Sequence, residues 1–391
     1  MKILFYRYGS ICELAILRAF INFGYTVIEE TTGINKPYVP ETEQLHLLRT
    51  HFSNDNFQMV FSINFFPTIS DVCNIIKIPY VCWIVDSPVL ELYSYSISNI
   101  WNRIFIFDKT LYQEFLPKNP DNIFYLPLAA DTEHTDLILS SITNSDYDKY
   151  QADVSFIGSL YSEKCPYNKA TNLPPYIKGY LDGIIAAQEK VYGYYFIDEL
   201  LTDNIIKEFK EHVSFYQFPE KANKNDKEVL SLLYLANKIT EQERIHLLQA
   251  LSKHFKVDIY TFHDTPMLPL IRNHGSASSD VEMPKIFHLS KINLNMTAKA
   301  IRSGIPLRIW DILGSNGFLI TNYQKELEDY FKIGVDLEIY ESEKDLIEKI
   351  QFFLAHSGLR KKIAANGYQK VLTYHTYQQR LQQILKMVFP H

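Results

Sequence analysis

The chain has 391 residues, of which 47% are hydrophobic and 21% charged, proportions typical of a packed globular protein. At roughly 100 to 200 residues per domain, this length predicts two domains. The formal net charge of −6 and the lack of a basic tract argue against nucleic acid as the main partner, because neutralising phosphates requires clustered Lys and Arg.

The apolar runs and the cysteines indicate the cellular location of the protein. Runs such as Tyr80–Val85 are far shorter than the roughly 20 residues that span a bilayer. The first residues lead directly into a strand pattern, without a visible signal peptide. Cys12, Cys73, Cys82 and Cys165 lack the spacing of a metal site and are typical of reduced thiols. We therefore expect a cytoplasmic protein without a transmembrane segment.

The N-terminal third alternates short apolar strands with amphipathic helices. Its predicted helices are Cys12–Phe23, Ile69–Ile76 and Thr110–Leu116, and its predicted strands are Lys2–Tyr6, Thr26–Glu29, Met59–Ile63, Tyr80–Val85, Arg103–Phe107 and Ile123–Tyr125. This alternation predicts a doubly wound parallel sheet, and nearly continuous apolar strands are typical of sheets covered on both faces. We therefore predict a first domain over residues 1–131, and a helix followed by a linker over 132–152.

A second alternating pattern begins at residue 153. Between about 162 and 255, helical segments follow one another without a comparable strand signal, which predicts a helical insertion in the second domain. The alternation then returns with the strands Val257–Thr261, Ile292–Leu294, Phe318–Thr321 and Leu337–Tyr340. We place the second domain at 153–370, and a last amphipathic helix within 371–391.

Two doubly wound, Rossmann-like domains are expected to face each other across a cleft. Ligands bind at the carboxyl ends of parallel strands, so this cleft is the expected site. The pattern alone suits a periplasmic binding protein, a sugar epimerase or a glycosyltransferase equally well.

Two glycine-containing loops follow the first strand of each domain. Gly9 and Ser10 lie between a strand and a helix, where a phosphate or an acceptor can approach the backbone, although a plain tight turn fits as well. The loop is not GxGxxG, so a dinucleotide site is poorly supported. Gly158 and Ser159 follow the first strand of the second domain, and their backbone N–H groups suit a diphosphate.

The strongest chemical signal lies between residues 293 and 311, where polar residues and glycine separate two apolar elements. Arg302 and Arg308 carry forked donors that suit a diphosphate. Arg308 and Asp311 are three residues apart and share one helix face. A surface ion pair of little energetic value is the alternative interpretation.

Acidic residues provide two further candidates. Asp86 follows a buried strand, where active-site carboxylates commonly lie, although a cap or turn role is the simpler interpretation. Asp146-Tyr147-Asp148 has the form of a metal-binding DxD, but it falls in a polar linker, and we discount it. No His or Cys cluster has ligand spacing, so no metal and no other cofactor is expected.

Ten segments resemble the CgeB-like glycosyltransferases, named after a spore-maturation protein, and related bacterial proteins. Together they span nearly the whole chain except the helical insertion. They are Phe61–Phe65, Ile78–Trp83, Asp86–Pro88, Phe105–Asp108, Leu126–Ala129, Lys291–Asn295, Gly304–Arg308, Gly317–Asn322, Tyr340–Ser342 and Ile363–Tyr368.

The resemblance implies a GT-B fold, with the acceptor on the N-terminal domain and a nucleotide diphosphate-sugar, expected to be a UDP-sugar, on the C-terminal one. It implies transfer of a hexosyl or N-acetylhexosaminyl group to a protein or glycan acceptor. The last helix is expected to cross back to the first domain.

The resemblance also implies roles for individual residues. Asp311 looks like the acidic residue that holds the donor ribose, and Gly158 like the glycine opposite the diphosphate. The backbone at Val281 and Met283 looks like the nucleobase contact. Arg308 then neutralises the diphosphate and stabilises the leaving group without a metal.

The chain departs from the family pattern at Thr297–Ala300, where an acidic residue is usual. This leaves a retaining or an inverting reaction open. An inverting reaction needs a base for the acceptor proton, and we assign Asp86 to that role. The alternatives are a catalytically silent nucleotide-sugar binding protein and a sugar-nucleotide epimerase, which needs more acid/base residues than are evident here.

Overall fold

The computed structural model describes residues 1–36 and 38–389, and the chain divides into two compact units. The first unit contains Met1–Ala129, Phe218–Lys224 and the chain from His375 onward. The second contains Ala130–Gln217 and Asn225–Tyr374. Residue 37 of the predicted first domain, and residues 390 and 391 of the predicted last segment, lie outside the described residues.

The first unit is built on a parallel six-stranded sheet in the order β2-β1-β3-β4-β5-β6. The chain adds β2 on one side of β1 and β3 on the other, which is the doubly wound arrangement predicted from the sequence. The central strands are apolar and fully buried because helices cover both faces. The strands are β1 (Lys2–Tyr6), β2 (Thr26–Glu30), β3 (Met59–Ile63), β4 (Tyr80–Ile84), β5 (Asn102–Ile106) and β6 (Ile123–Tyr125).

Local sequence signals set the bounds of the first unit's helices. Pro67 occupies the first turn of one helix, which ends at Lys77 with a left-handed φ of 60°. Another begins after Asp108, whose carboxylate accepts from the Leu111 amide at 2.9 Å. The helices are α1 (Glu13–Asn22), α2 (Thr32–Asn35), α3 (Glu41–Asn54), α4 (Pro67–Ile76) and α5 (Lys109–Phe115), with 3-10 turns at Leu90–Tyr93, Tyr95–Ser98 and Leu116–Lys118.

The second unit has its own parallel six-stranded sheet, ordered β12-β11-β10-β7-β8-β9. It is also doubly wound, with the direction of winding reversed between β7 and β10. The register pairs Phe156 with Leu294 and Leu294 with Ile320, three side chains of the buried core. The strands are β7 (Val154–Ile157), β8 (Val257–Tyr260), β9 (Arg272–Asn273), β10 (Ile292–Asn295), β11 (Leu319–Asn322) and β12 (Glu338–Tyr340).

Helices account for most of the rest of the second unit, including the predicted insertion between β7 and β8. A π-helical turn at Val229–Leu235 leads into the long helix α12, and a 3-10 turn spans Pro166–Lys169. The helices are α6 (Thr132–Ser140), α7 (Asn144–Tyr150), α8 (Pro175–Gln188), α9 (Ile197–Leu200), α10 (Asp203–Glu211), α11 (Asp226–Glu228), α12 (Ala236–Ser252), α13 (Glu282–Leu289), α14 (Leu307–Gly314), α15 (Leu327–Tyr330), α16 (Glu343–Ala355) and α17 (Ser357–Tyr374).

The last helix, α18 (Tyr377–Val388), belongs to the first unit and packs on α1. Arg380 is buried and donates from Nε to the Pro127 carbonyl at 3.0 Å. The Trp83 ring lies 5.9 Å from that of Tyr377. These contacts tie the end of the chain to the segment that follows β6.

Several elements differ from the sequence prediction. Residues 144–150, predicted as linker, form α7, because the Asp146 carboxylate accepts from the Thr143 amide at 2.8 Å and caps the helix. Helix α17 was not predicted.

Candidate functional site

In both units, the predicted site residues cluster where parallel strands end. A doubly wound sheet opens a crevice at the point where its winding reverses, and ligands bind there. In the first unit this point lies between β1 and β3, and in the second between β7 and β10. The loops that follow these strands carry Gly9, Ser10, Gly158 and Ser159.

Arg308 and Asp311 form the predicted pair on the first turns of α14. Arg308 Nη1 lies 3.4 Å from Asp311 Oδ2, and both side chains are partly exposed. The same nitrogen donates to Met283 Sδ at 2.9 Å, a weak acceptor. Within residues 1–36 and 38–389, the other N–H groups of Arg308 and Oδ1 of Asp311 make no hydrogen bond. The remaining N–H groups of Arg308 can therefore donate to an anion, and the neighbouring Oδ1 of Asp311 can accept from hydroxyl groups.

Burial makes both charges of this pair costly. It lowers the pKa of Arg308, and the charge of Arg244 lowers it further, while Asp311 raises it. Burial raises the pKa of Asp311 to about 6, against the opposing effect of Arg308, and Asp131 adds to the rise. A bound anion near Arg308 would offset the cost of burying that cation.

Arg244, on α12, connects the Gly158–Ser159 loop to the end of β10. Its guanidinium donates to the carbonyls of Ser159 and Met296 and lies 4.9 Å from the Tyr161 ring centre. A Cβ on Gly158 would come within 3.7 Å of Arg244 Nη1. The loop backbone therefore runs directly beside a buried cation, which favours a bound anion at this point.

The predicted nucleobase segment lies at the start of α13. Val281 precedes the helix and is exposed, whereas Met283 contacts Arg308 through its sulfur. The Arg308 guanidinium also lies 5.3 Å from the Phe287 ring centre. Met283 is thus joined directly to the Arg308–Asp311 pair, and Val281 lies two residues away in the chain.

Arg302 has different neighbours from Arg308. Its Nη1 lies 3.8 Å from Asp198 Oδ2, and it lines a pocket together with Lys299. Lys299 Nζ lies 3.2 Å from Glu243 Oε2, and both side chains are buried. Burial raises the pKa of Glu243, although Lys299 lowers it. The structure therefore places Arg302 in a separate cationic cluster of the second unit.

In the first unit, Asp86 lies just past β4, beside the ends of β1 and β3. Its Oδ2 accepts from Asn64 Nδ2 at 2.7 Å and from the Tyr8 hydroxyl at 3.3 Å. Within the described part of the chain, Oδ1 makes no hydrogen bond. Asn64 adopts a left-handed φ of 56°, which asparagine tolerates better than most residues, and its Oδ1 accepts from Val85 N at 3.1 Å. Asp86 is thus an oriented carboxylate with one oxygen open.

The loop at Gly9 and Ser10 does not have the geometry of an anion-binding site. Gly9 has a φ of +95°, which favours glycine. Its amide donates to the carboxylate of Glu13 at 3.1 Å, and the Tyr8 amide donates to the same group at 2.9 Å. Glu13 is fully buried and also pairs with Arg7 at 3.1 Å. Because Glu13 occupies these amides, the geometry argues against a phosphate site at this loop.

Potential metal ligands do not cluster. Across residues 1–36 and 38–389, no three His, Cys, Asp or Glu side chains are arranged to hold a metal ion. Asp146, from the discounted DxD, pairs with Lys285 at 2.9 Å in addition to capping α7. These interactions lower its pKa to about 2, and the hydrogen bond with Lys285 is the main cause.

Sequence reasoning missed Arg244, Lys299, Glu243, Asn64 and Tyr8. The signal that identified Asp86, a polar residue directly after a buried strand, was also present at Asn64. Arg244 and Glu243 offered no such signal, because they lie on a long helix and meet partners more than 50 residues away.

Comparison with known proteins agrees with this architecture. Residues 243–386 match a family model described as "Glycosyl transferase-like"; these residues include Arg308 and Asp311. No curated protein sequence matches the chain.

Solved structures resemble the chain over nearly its full length. HepE from Anabaena, in complex with UDP-glucose, has a TM-score of 0.59 at 10% identity and covers 99% of each chain. Sucrose-phosphate synthase from Thermosynechococcus elongatus has a TM-score of 0.58 at 7% identity, over 99% of this chain and 98% of that one. The chain has the GT-B fold. A glycosyltransferase from Rickettsia africae has a TM-score of 0.55 at 10% identity, over 100% and 99% of the two chains.

These similarities confirm the predicted fold class. Over the residues that the structure describes, no helix is both long and apolar enough to cross a membrane.

Proposed function

We propose that this chain is a CgeB-like glycosyltransferase that moves a hexosyl or N-acetylhexosaminyl group from a UDP-sugar to a protein or glycan acceptor. The observation that carries the proposal is the open Arg308–Asp311 pair within the segment that matches a glycosyl transferase-like model. The choice of UDP is supported by HepE, a structural neighbour in complex with UDP-glucose. The acceptor class and the bacterial context come from the sequence resemblance.

On the donor side, each group has a distinct task. Asp311 accepts hydrogen bonds from the ribose hydroxyls through its open Oδ1. Arg308 donates to the diphosphate, since a guanidinium fork matches phosphate oxygens. Gly158 and Ser159 border the diphosphate beside Arg244, and the segment with Val281 and Met283 borders the base.

The transfer step replaces one bond at the anomeric carbon with another. The acceptor oxygen bonds to that carbon while the bond to the diphosphate oxygen breaks, and UDP leaves with the electron pair. Arg308 stabilises the growing negative charge, which is the role that a metal ion has in other transferases. For an inverting reaction, Asp86 takes the acceptor proton at its open Oδ1.

On the acceptor side, the loop at Gly9 and Ser10 contacts the acceptor and does not bind a phosphate. The Gly9 amide already donates to Glu13, so an incoming phosphate would compete with a buried carboxylate. We therefore assign this loop to contact with the acceptor near Asp86. Tyr8 precedes the loop and links it to Asp86 through its hydroxyl.

A thermal-shift screen against nucleotide-sugars tests the proposal. A ligand at 100 times its dissociation constant stabilises the native state by about 2.7 kcal/mol, and we expect this from UDP-sugars but not from other nucleotide-sugars. Chelator should leave the shift and the release of UDP unchanged. A shift without UDP release from any UDP-sugar would favour a silent binding protein, and no shift would contradict the proposal.

A further inference from the structure

Two hydroxyl groups lie inside the otherwise apolar strands β3 and β4. Ser62 on β3 and Tyr80 on β4 are completely buried, and their oxygens are 2.7 Å apart. All other residues of these two strands are apolar. Burying a hydroxyl in apolar surroundings is costly unless the group is hydrogen-bonded. The partners of Ser62 and Tyr80 therefore indicate what the two groups do.

The two hydroxyls belong to a chain of hydrogen bonds that ends at the backbone of Asn64. The Phe66 amide donates to the Tyr80 hydroxyl at 2.9 Å, and Ser62 Oγ donates to the Asn64 carbonyl at 2.8 Å. Because Ser62 has only one hydroxyl proton, Tyr80 is the donor between the two hydroxyls. Burial raises the pKa of Tyr80 well above its usual value, so this donor keeps its proton. Hydrogen bonds in such a chain strengthen one another.

Asn64 is fixed through its backbone, and its side chain contacts Asp86. Its left-handed φ of 56° is a conformation that persists only where the surrounding contacts determine it. The Asn64 amide donates to the Trp83 carbonyl at 2.9 Å, and its carbonyl accepts from Ser62. In this conformation, Nδ2 reaches Asp86 Oδ2 at 2.7 Å and the Tyr8 hydroxyl at 2.8 Å. The orientation of Asp86 therefore depends on the backbone of Asn64.

We propose that Tyr80 and Ser62 are positioning residues for the transfer reaction, which act on Asp86 through Asn64. The inference rests on the proposed function, because it requires Asp86 to be the base. Both hydroxyls are too deeply buried to touch an acceptor, so their effect is to keep Asn64 in the conformation that orients Asp86. The residues assigned to the donor all belong to the second unit. Loss of either hydroxyl should therefore slow transfer without changing donor binding.

A double-mutant cycle on the full chain tests the inference. UDP release is measured with water as the acceptor, from the UDP-sugar that the wild type turns over fastest. Tyr80→Phe should lower kcat about fivefold and change the KM for the donor by less than about twofold. In the Asp86→Asn background it should have little further effect, because residues that act as a unit are not additive. Ser62→Ala should give the same pattern and replaces Tyr80→Phe if that variant does not fold.

Tyr234→Phe is the matched control for the loss of a buried tyrosine hydroxyl. Tyr234 lies in the second unit and is also buried. Its hydroxyl accepts from the Tyr216 amide and donates to the Ser214 carbonyl, both at 3.1 Å. Because Tyr234 has no connection to Asp86, this variant should keep the wild-type kcat, even where its thermal stability falls as much as that of Tyr80→Phe.

The outcomes separate this inference from the function on which it rests. Equal losses of kcat from Tyr80→Phe in the wild-type and Asp86→Asn backgrounds would overturn the inference alone. Wild-type kcat in both Tyr80→Phe and Ser62→Ala would also overturn it. A wild-type rate in Asp86→Asn would remove the base, and the inference with it, but would leave the use of a UDP-sugar intact. No UDP release from any UDP-sugar would overturn the proposed function as well.

Discussion

Asn64 donates its side-chain amide to Asp86 at 2.7 Å, although 22 residues separate them in the chain. The contact forms because β3 and β4 are parallel neighbours, so the residues that follow them meet at one edge of the sheet. The hydrogen bond occupies Oδ2 and leaves Oδ1 of Asp86 open.

Replacing Asp86 tests its assignment as the base. Asp86→Asn should lower UDP release from UDP-glucose, with water as the acceptor, by at least about 100-fold, which is the range of general base catalysis. Donor affinity should change by less than about twofold. Asn64→Ala should cause a smaller loss, of about tenfold, because Asn64 only orients the carboxylate. A wild-type rate in Asp86→Asn would remove Asp86 from the chemistry.

Donor binding should depend on pH through Asp311. Burial raises its pKa to about 6, and ribose hydroxyls donate to the ionised form. The affinity for UDP-glucose should therefore rise as the pH increases through about 6 and level off above it. Calorimetry between pH 5 and 8 measures this. Asp311→Asn should bind more weakly at high pH and show no such rise, and an identical rise in the variant would assign it to another group.

Arg308 should matter more for turnover than for donor affinity. Its charge serves the leaving diphosphate, whose negative charge grows in the transition state. Arg308→Ala should lower kcat by about 100-fold and raise the dissociation constant of UDP-glucose by less than about tenfold. Arg308→Lys keeps the charge but not the forked geometry of the guanidinium, so its kcat should lie between those of the wild type and Arg308→Ala. Equal losses in kcat and affinity would indicate a ground-state contact.

Gly367 should be required for the packing of α17. A Cβ at this position would meet the Asp336 carbonyl oxygen and come within 2.8 Å of Leu313 Cδ2. Gly367→Ala should therefore destabilise the second unit by about 1 to 3 kcal/mol, measured by thermal or urea unfolding. Gly358→Ala in the same helix has nothing within 4 Å of its Cβ and should be neutral or stabilising. Equal stability of the two variants would contradict this account of the packing.

Elements with strong apolar periods were predictable, and those with weak ones were not. The fully buried runs Met59–Ile63 and Tyr80–Ile84 are strands, as predicted. Helix α3 was missed because only Leu48 is buried along its 14 residues. Helix α17 packs through small and polar positions such as Ala364, Gly367 and Arg360, which give little hydrophobic period.

The candidate site was predictable where its residues are close in sequence. Arg308 and Asp311 share one helix, so their three-residue spacing was enough to predict the pair. Lys299 and Glu243 are 56 residues apart, and their ion pair depends on how α12 packs beside the end of β10. No local pattern carries that information, and the pocket lined by Lys299 was therefore not predicted.

Titration of UDP into the wild type and Asp311→Ala tests the central claim most directly. The claim is that Arg308 and Asp311, at the start of α14, bind a sugar nucleotide. Loss of two ribose hydrogen bonds should weaken binding by about 1 to 3 kcal/mol, with the fold unchanged by circular dichroism. Equal affinity of the two proteins for UDP, or no binding by either, would contradict it.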